Sequence, residues 1–218
     1  MKALIVLDCQ KGMLARGDFD LLRENILKLQ EMFKASGDLI IHTRHIDENE
    51  ESIIYNGDER GELDEELSAD ADFIVEKNSP NIFQSEELKA ILANHPVDEV
   101  VITGLNAEYC CLFSAIIASD RGYKVTYIED ATGSVNDGDT YEMPGLDLVD
   151  FVGCVLDWSG QVEVLYFDDV YFLILDNKLN VHHTKTVEAN CKTFGVVCNR
   201  FLHFLRQGLR RINRHGVT

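Results

Sequence analysis

Short apolar runs alternate with helical patterns of apolar and polar residues over the first 167 positions of the chain. The apolar runs predict strands at Lys2–Leu7, Asp38–Thr43, Asp72–Glu76, Asp98–Thr103, Tyr123–Ile128 and Gln161–Phe167. Apolar positions with a spacing near 3.6 predict helices at Asp20–Ser36, Asp64–Ser68, Ser85–Asn94, Glu108–Arg121 and Leu146–Trp158. Strands that alternate with helices favour a three-layer α/β/α domain with a mainly parallel sheet, and an α+β domain is the alternative.

The pattern changes after Phe167. Val170–Leu175 and Leu179–Thr184 flank a short polar turn and predict a hairpin, and Phe194–His215 predicts an amphipathic basic helix. We therefore divide the chain into a domain at 1–167 and an extension at 168–218, which we expect to pack on the domain or on a partner.

Charge follows the same division. The 218 residues carry 20 basic and 38 acidic side chains, a net charge of −18. Residues 170–218 alone sum to +6, so residues 1–169 sum to −24. The strongly acidic part of the chain, residues 1–169, argues against nucleic acid and against an anionic membrane as partners, because a protein that binds either one needs clustered positive charge.

The six cysteines form no CxxC pair and are too few for a disulfide scaffold. The apolar run Ala3–Leu7 is too short for the core of a signal peptide, and Val170–Leu175 is too short to span a bilayer. These features predict a cytoplasmic protein with reduced thiols.

Three reactive side chains follow predicted strands. Asp8 comes after the first strand, Lys77 after the third, and Cys110 shortly after the fourth. Ligands of open parallel sheets bind beyond the carboxyl ends of the strands, so these side chains are candidates for one site. A nearby ammonium and a helix N-terminus favour a thiolate, and we expect them to lower the pKa of Cys110. Position alone does not establish this, because an Asp after a strand is often a cap and a helical Cys is often a core residue.

Three separated motifs strengthen the interpretation. The segment Ala3–Gln10 is an apolar strand that ends in D-x-Q, and Val75–Lys77 is followed by Phe83 and Leu88. The segment Val100–Ala115 matches V-x-T-G-x(5)-C-V-x-x-[ST]-A, with Cys111 in place of the Val. On these motifs the chain from about Lys2 to Phe167 resembles the isochorismatase-like cysteine hydrolases. This superfamily includes nicotinamidases, N-carbamoylsarcosine amidohydrolases and isochorismatases.

The resemblance implies an Asp-Lys-Cys triad of Asp8, Lys77 and Cys110. It also implies a cis peptide bond between Leu105 and Asn106 that shapes an oxyanion hole. Cys9 and Cys111 are then expected to be core residues. The expected substrate pocket comprises Gln10, Met13, Phe83 and Tyr109.

The metal ligands of nicotinamidases are not recognisable in this chain. Those enzymes carry an Asp and two His after the second strand, whereas this segment has His42, His45 and Asp47 in another order, and the next histidine is His95. The sequence Thr43-Arg44-His45 instead resembles metal-free members, so we expect no metal and no other cofactor, and a substrate other than nicotinamide.

The sequence therefore predicts a metal-independent hydrolase that cleaves a small amide or carbamoyl C–N bond through a thioester. Two alternatives stay open: hydrolysis of an isochorismate-type enol ether, and a non-catalytic binding module that uses the tail as its interface. We expect a small-molecule substrate and assembly into a homo-oligomer.

Overall fold

The apolar runs form six parallel strands of one sheet in the computed structural model, which describes residues 1–171. The strands are β1 (Lys2–Leu7), β2 (Leu39–His45), β3 (Phe73–Lys77), β4 (Glu99–Leu105), β5 (Lys124–Gly133) and β6 (Glu163–Leu165). Their order across the sheet is β3-β2-β1-β4-β5-β6. The prediction of an α/β fold with a parallel sheet is confirmed.

Helices cover both faces of this sheet. They are α1 (Lys11–Leu14), α2 (Asp20–Ser36), α3 (Glu65–Ser68), α4 (Glu86–Asn94), α5 (Leu112–Asp120) and α6 (Leu148–Ser159). The apolar stripe of α2 packs on one face, and the stripes of α4, α5 and α6 pack on the other. Alternate residues of β1 enter the two cores, which explains why that strand is a continuous apolar run in the sequence.

Side-chain caps set where several helices begin. Ser85 accepts a hydrogen bond from the N–H of Leu88 at 3.3 Å and so caps the start of α4. Asp147 accepts bonds from two backbone N–H groups at the start of α6. These oxygens satisfy backbone donors that a helix leaves unpaired in its first turn.

Two predicted elements differ from the structure. The helix predicted at Glu108–Arg121 is divided into a π-helical turn, Ala107–Cys111, and α5. Residues 167–171 are helical, so the strand predicted from Val170 is wrong at its start, because a short apolar run does not by itself distinguish a strand from a buried helix. The rest of that run, the hairpin and the basic helix lie outside the described residues.

The residues 1–171 form one compact unit. No helix within this stretch is both long and apolar enough to cross a membrane. The predicted boundary at Phe167 stays a prediction.

The carboxyl ends of β1 and β4 lie side by side in the middle of the sheet. Strands β2 and β3 follow on one side of β1, and β4, β5 and β6 follow on the other side. Open α/β sheets bind their ligands at the point where the strand order reverses in this way. Gly104 in β4 has φ +106°, and a Cβ at this position would lie 2.1 Å from the carbonyl oxygen of Leu7. Only glycine therefore permits this close approach of the two strand ends.

Candidate active site

Asp8, Lys77 and Cys110 meet at the carboxyl edge of the sheet. Asp8 directly follows β1 with φ +49°, Lys77 is the last residue of β3, and Cys110 lies on the π-helical turn after β4. Their exposed fractions are 0%, 7% and 5%. Three residues from distant parts of the chain thus share one buried site.

The ammonium of Lys77 lies at the centre of this site. Its Nζ is 2.7 Å from Asp8 Oδ2, 3.2 Å from Cys110 Sγ, 3.0 Å from His45 Nδ1 and 3.2 Å from the carbonyl oxygen of Ser79. An ammonium has three protons, so these four acceptors fully occupy it. The lysine can therefore hold the carboxylate and the sulfur at fixed positions.

Thr43 orients the carboxylate of Asp8 from the neighbouring strand. Its hydroxyl donates to Asp8 Oδ1 at 2.6 Å, and its carbonyl accepts from the Asp8 N–H at 3.2 Å. Because Oδ1 faces Thr43 and Oδ2 faces Lys77, both oxygens of the buried carboxylate have partners. The carboxylate is thereby held in a single orientation.

Burial raises the pKa of the Cys110 thiol to about 12, with a further contribution from the negative charge of Asp8 that outweighs the opposing effect of Lys77. The predicted lowering of this pKa is therefore wrong. The sequence identified the cation but not the depth of burial, and the π-helical turn separates Cys110 from the start of α5. Burial opposes the charge on Lys77, yet Asp8 and Cys110 together raise the pKa of its ammonium. The resting site holds a thiol and an ammonium.

The backbone before Cys110 has an unusual shape. The peptide bond between Leu105 and Asn106 is cis, at the bond where the sequence motif places one. The carbonyl of Asn106 accepts from the N–H groups of Tyr109 and Cys111 at 3.2 Å each, and its side-chain oxygen accepts from the N–H of Val135 at 3.1 Å. The assignment of this segment to an oxyanion hole stays a prediction.

The four residues expected to form a substrate pocket have different surroundings. The amide of Gln10 donates to the carbonyls of His45 and Gly61 and accepts from the N–H of His45. Met13 and Phe83 belong to the cores on opposite faces of the sheet, and so they do not lie together. Tyr109 is 42% exposed. Of the four side chains, that of Tyr109 has the most surface free for a ligand.

Glu108 is a residue that the sequence interpretation missed. Its Oε1 accepts from Ser134 Oγ at 2.9 Å, from Asn136 Nδ2 at 2.8 Å and from the Tyr141 hydroxyl at 3.1 Å. The Tyr141 hydroxyl also lies 2.9 Å from that of Tyr109. Glu108 thus ties the loop after β5 to the turn that carries the cysteine. Nothing in the sequence pairs these residues, since the contacts join segments more than 25 positions apart.

The oxygen, nitrogen and sulfur ligands of Asp8, His45 and Cys110 lie within 4.8 Å of one another, and among residues 1–171 this is the only such group of three. The Nζ of Lys77, however, is within 3.2 Å of all three side chains. A metal ion at the centre of the group would occupy the position of the ammonium. The residues therefore do not fit a metal while Lys77 is in place.

The other candidate ligands serve elsewhere. His42 is buried, and its Nε2 lies 3.3 Å from Gln30 Oε1. Burial lowers the pKa of His42 to about 4. His95, at the end of α4, bonds a carbonyl of that helix at 2.8 Å. Asp47 accepts from a backbone N–H of its own loop at 2.9 Å. These contacts give each side chain a structural role.

Comparison with known proteins places this geometry in context. The profile of the Isochorismatase domain matches residues 2–156. The chain is 27% identical over 158 residues to the secreted isochorismatase effector Isc1 of Verticillium dahliae, covering 70% of this chain and 80% of that protein.

Two solved structures share the fold. A cysteine hydrolase from Pseudomonas syringae superposes with a TM-score of 0.66 at 22% identity, covering 78% of this chain and 90% of that one. Nicotinamidase PncA from Bacillus subtilis superposes with a TM-score of 0.63 at 20% identity, covering 75% of this chain and 98% of that one.

Proposed function

We propose that this chain, which belongs to the isochorismatase family, is a metal-independent cysteine hydrolase of small amide or carbamoyl C–N bonds. The family assignment makes it a hydrolase of non-peptide C–N or related bonds. One observation carries the finer proposal: the buried ammonium of Lys77 contacts both the carboxylate of Asp8 and the sulfur of Cys110. A carboxylate, a cation and a thiol in contact provide a base, a charge clamp and a nucleophile.

The first half-reaction forms a thioester. Because the raised pKa keeps Cys110 protonated, its proton must leave as the sulfur attacks, and Asp8 is the neighbouring acceptor. The sulfur forms a bond to the substrate carbonyl carbon, and the C–N bond then breaks. Asp8 returns the proton to the departing nitrogen, which leaves as ammonia or an amine.

Lys77 keeps the balance of charge during this exchange. Negative charge begins on Asp8, passes through sulfur and the carbonyl oxygen, and returns to Asp8, while the ammonium stays within hydrogen-bond distance of the carboxylate and the sulfur. Backbone N–H groups near Asn106 and Cys110 would receive the developing oxyanion.

The second half-reaction hydrolyses the thioester. The oxygen of a water molecule attacks the acyl carbon while Asp8 accepts a proton from that water. The C–S bond then breaks, and Asp8 returns the proton to the sulfur of Cys110. The products are a carboxylic or carbamic acid and the free enzyme. No step needs a metal, and the Lys77 ammonium already contacts the three side chains that could hold one.

The proposal is tested by an ammonia-release screen over small amides and carbamoyl compounds, with the wild-type protein beside Cys110→Ala and Cys111→Ala. Cys111 is the matched control, because it is the adjacent buried cysteine. We expect turnover in the wild type and in Cys111→Ala, loss of at least about a thousandfold in Cys110→Ala, and an acyl adduct on Cys110 in acid-quenched samples.

Activity that survives in Cys110→Ala would contradict the cysteine mechanism. Activity lost on chelation and restored by a stoichiometric metal would contradict the metal-independent reaction. A protein that binds but turns over none of these compounds would instead be a binding module.

A second candidate is hydrolysis of an isochorismate-type enol ether, and it is favoured by the similarity to the isochorismatase effector Isc1 of Verticillium dahliae. That reaction does not need the thiol. Release of product from such an ether by both the wild type and Cys110→Ala would therefore support it over the thioester mechanism.

We also propose a reducing compartment, the cytoplasm, as the site of action. Cys9, Cys110 and Cys111 are buried and form no disulfide, and a nucleophilic thiol must stay reduced to react. Fractionation of cells that express the full chain, with detection in the medium as well as in the cytosol, tests this.

A further inference from the structure

His45 is the fourth side chain at the centre of the site. Its Nδ1 lies 3.0 Å from Lys77 Nζ, a distance similar to those that join the ammonium to Asp8 and Cys110. The proposed reaction gives this imidazole no role.

The contact fixes the state of the imidazole. Lys77 is an ammonium and only donates, so Nδ1 must be an acceptor without a proton. Its proton is then on Nε2. Burial and the positive charge of Lys77 lower the pKa of His45, which agrees with a neutral ring.

The backbone of His45 is held rigidly. The side-chain amide of Gln10 accepts from its N–H at 3.0 Å and donates to its carbonyl at 3.0 Å. Parallel pairing of β2 and β3 sets His45 opposite Lys77, and the Lys77 carbonyl accepts from the N–H of Ile46 at 2.7 Å. An imidazole anchored in this way can fix the position of a flexible lysine side chain.

We propose that His45 is a positioning residue, whose neutral Nδ1 holds one proton of the Lys77 ammonium so that the other two face Asp8 and Cys110. This inference rests on the proposed function. Without Nδ1, the ammonium is no longer held from the side of β2, and it can shift toward Asp8 and the Ser79 carbonyl and away from the sulfur. His45 acts through Lys77 and need not touch the substrate.

Three substitutions distinguish the role of the Nδ1 atom from that of the rest of the His45 side chain. The Oδ1 of Asn in His45→Asn can occupy the place of Nδ1, whereas the longer amide in His45→Gln reaches the place of Nε2. His45→Ala removes both atoms. The matched control is His95→Ala, which removes a histidine at the far end of α4 from the site.

The first readout needs no substrate. The full-length proteins react with iodoacetamide at one fixed pH near 8, and the rate of modification of the Cys110 peptide is followed by mass spectrometry. The charged groups that face Cys110 are Asp8 and Lys77, and those that face His45 are Lys77, Asp8 and Asp47.

We expect a rate about tenfold lower in His45→Ala and His45→Gln, the range for loss of one hydrogen bond to a charged group. We expect a rate within about threefold of wild type in His45→Asn and His95→Ala, since both keep an acceptor at the Nδ1 position. A wild-type or faster rate in His45→Ala overturns the proposal. So does a rate in His45→Asn no higher than in His45→Ala. Circular dichroism and melting temperatures establish that each variant is folded.

The second readout uses a substrate from the ammonia-release screen. We expect kcat to fall about tenfold in His45→Ala with KM nearly unchanged, and to recover in His45→Asn. An increase in KM alone would mean that His45 binds substrate, which contradicts a positioning role. If the wild type turns over no amide but the alkylation rates follow the expected order, the proposed function fails while the role of His45 stands.

Discussion

At the scale of single residues, the site depends on groups that orient the reactive ones. Asp8 can receive the thiol proton only if its carboxylate faces the sulfur, and Thr43 on β2 and Lys77 on β3 hold its two oxygens. The motif identified Asp8, Lys77 and Cys110, and the structure brings them together. It did not identify Thr43, whose hydroxyl lies next to Asp8 because β1 and β2 pair in parallel with Leu7 opposite Thr43.

We predict that Thr43→Val lowers kcat/KM about tenfold, because Asp8 Oδ1 loses a hydrogen bond to a buried charge. Thr43→Ser keeps the hydroxyl, and we expect it to retain at least about a third of the wild-type value. Steady-state kinetics on a substrate of the wild type measures both. Equal losses in the two variants would show that the methyl group, and not the hydroxyl, supports the site.

At the scale of secondary-structure elements, the fold was largely predictable and the turn that carries Cys110 was not. Continuous apolar runs such as Lys2–Leu7 identify strands that are buried on both faces. The segment Ala107–Cys111 has a helical pattern, but no pattern distinguishes a π-helical turn from an α-helix. The sequence likewise cannot separate pocket from core at Met13 and Phe83, because both are apolar whether they line a cavity or fill a core, and the pocket assignment stays a prediction.

We predict that Gly104→Ala lowers the free energy of unfolding by about 3 kcal/mol or more, because its Cβ would collide with the backbone of Leu7 and its φ is +106°. Gly122 is the matched control, since its φ is +88° but nothing lies within 4 Å of a Cβ there. We expect Gly122→Ala to cost only about 1–2 kcal/mol. Urea unfolding measures both, and equal costs would show that φ alone requires glycine at position 104.

At the scale of the whole molecule, polar groups are buried elsewhere in residues 1–171 as well as at the candidate active site. Glu129 on β5 is 5% exposed, and its Oε1 accepts from the Tyr166 hydroxyl at 2.8 Å. Burial raises the pKa of this carboxyl to about 7, although the Tyr166 bond opposes the shift. The excess of acidic residues was evident in the sequence, but which carboxyl is buried depends on packing against α6, where Gly153 leaves room for Glu129.

We predict a pH-dependent loss of stability from Glu129. Its folded pKa is about 7 against an ordinary value of 4.5, so the folded state binds the proton more tightly. The contribution of this group to stability therefore falls as the pH rises from about 4.5 and levels off above about 7, by about 3 kcal/mol in total. Glu129→Gln should flatten this slope in urea unfolding between pH 4.5 and 8.

The matched control for this slope is Glu87→Gln, which removes one exposed negative charge from α4. We expect it to keep the wild-type slope. If both variants flatten the dependence of stability on pH alike, the general repulsion among the acidic side chains, and not Glu129, is responsible.

The location of Lys77 on β3 has one more consequence. Asp8 and Cys110 follow the two central strands, whereas β3 is five residues long and, within residues 1–171, has a neighbouring strand on one side only. The margins of a sheet open more readily than its middle. As the temperature rises, the ammonium should therefore leave the site before the strands beneath the carboxylate and the thiol separate. Heating would then inactivate the enzyme while most of the molecule is still folded. Cooling would restore activity once β3 pairs again, because the central strands never separated.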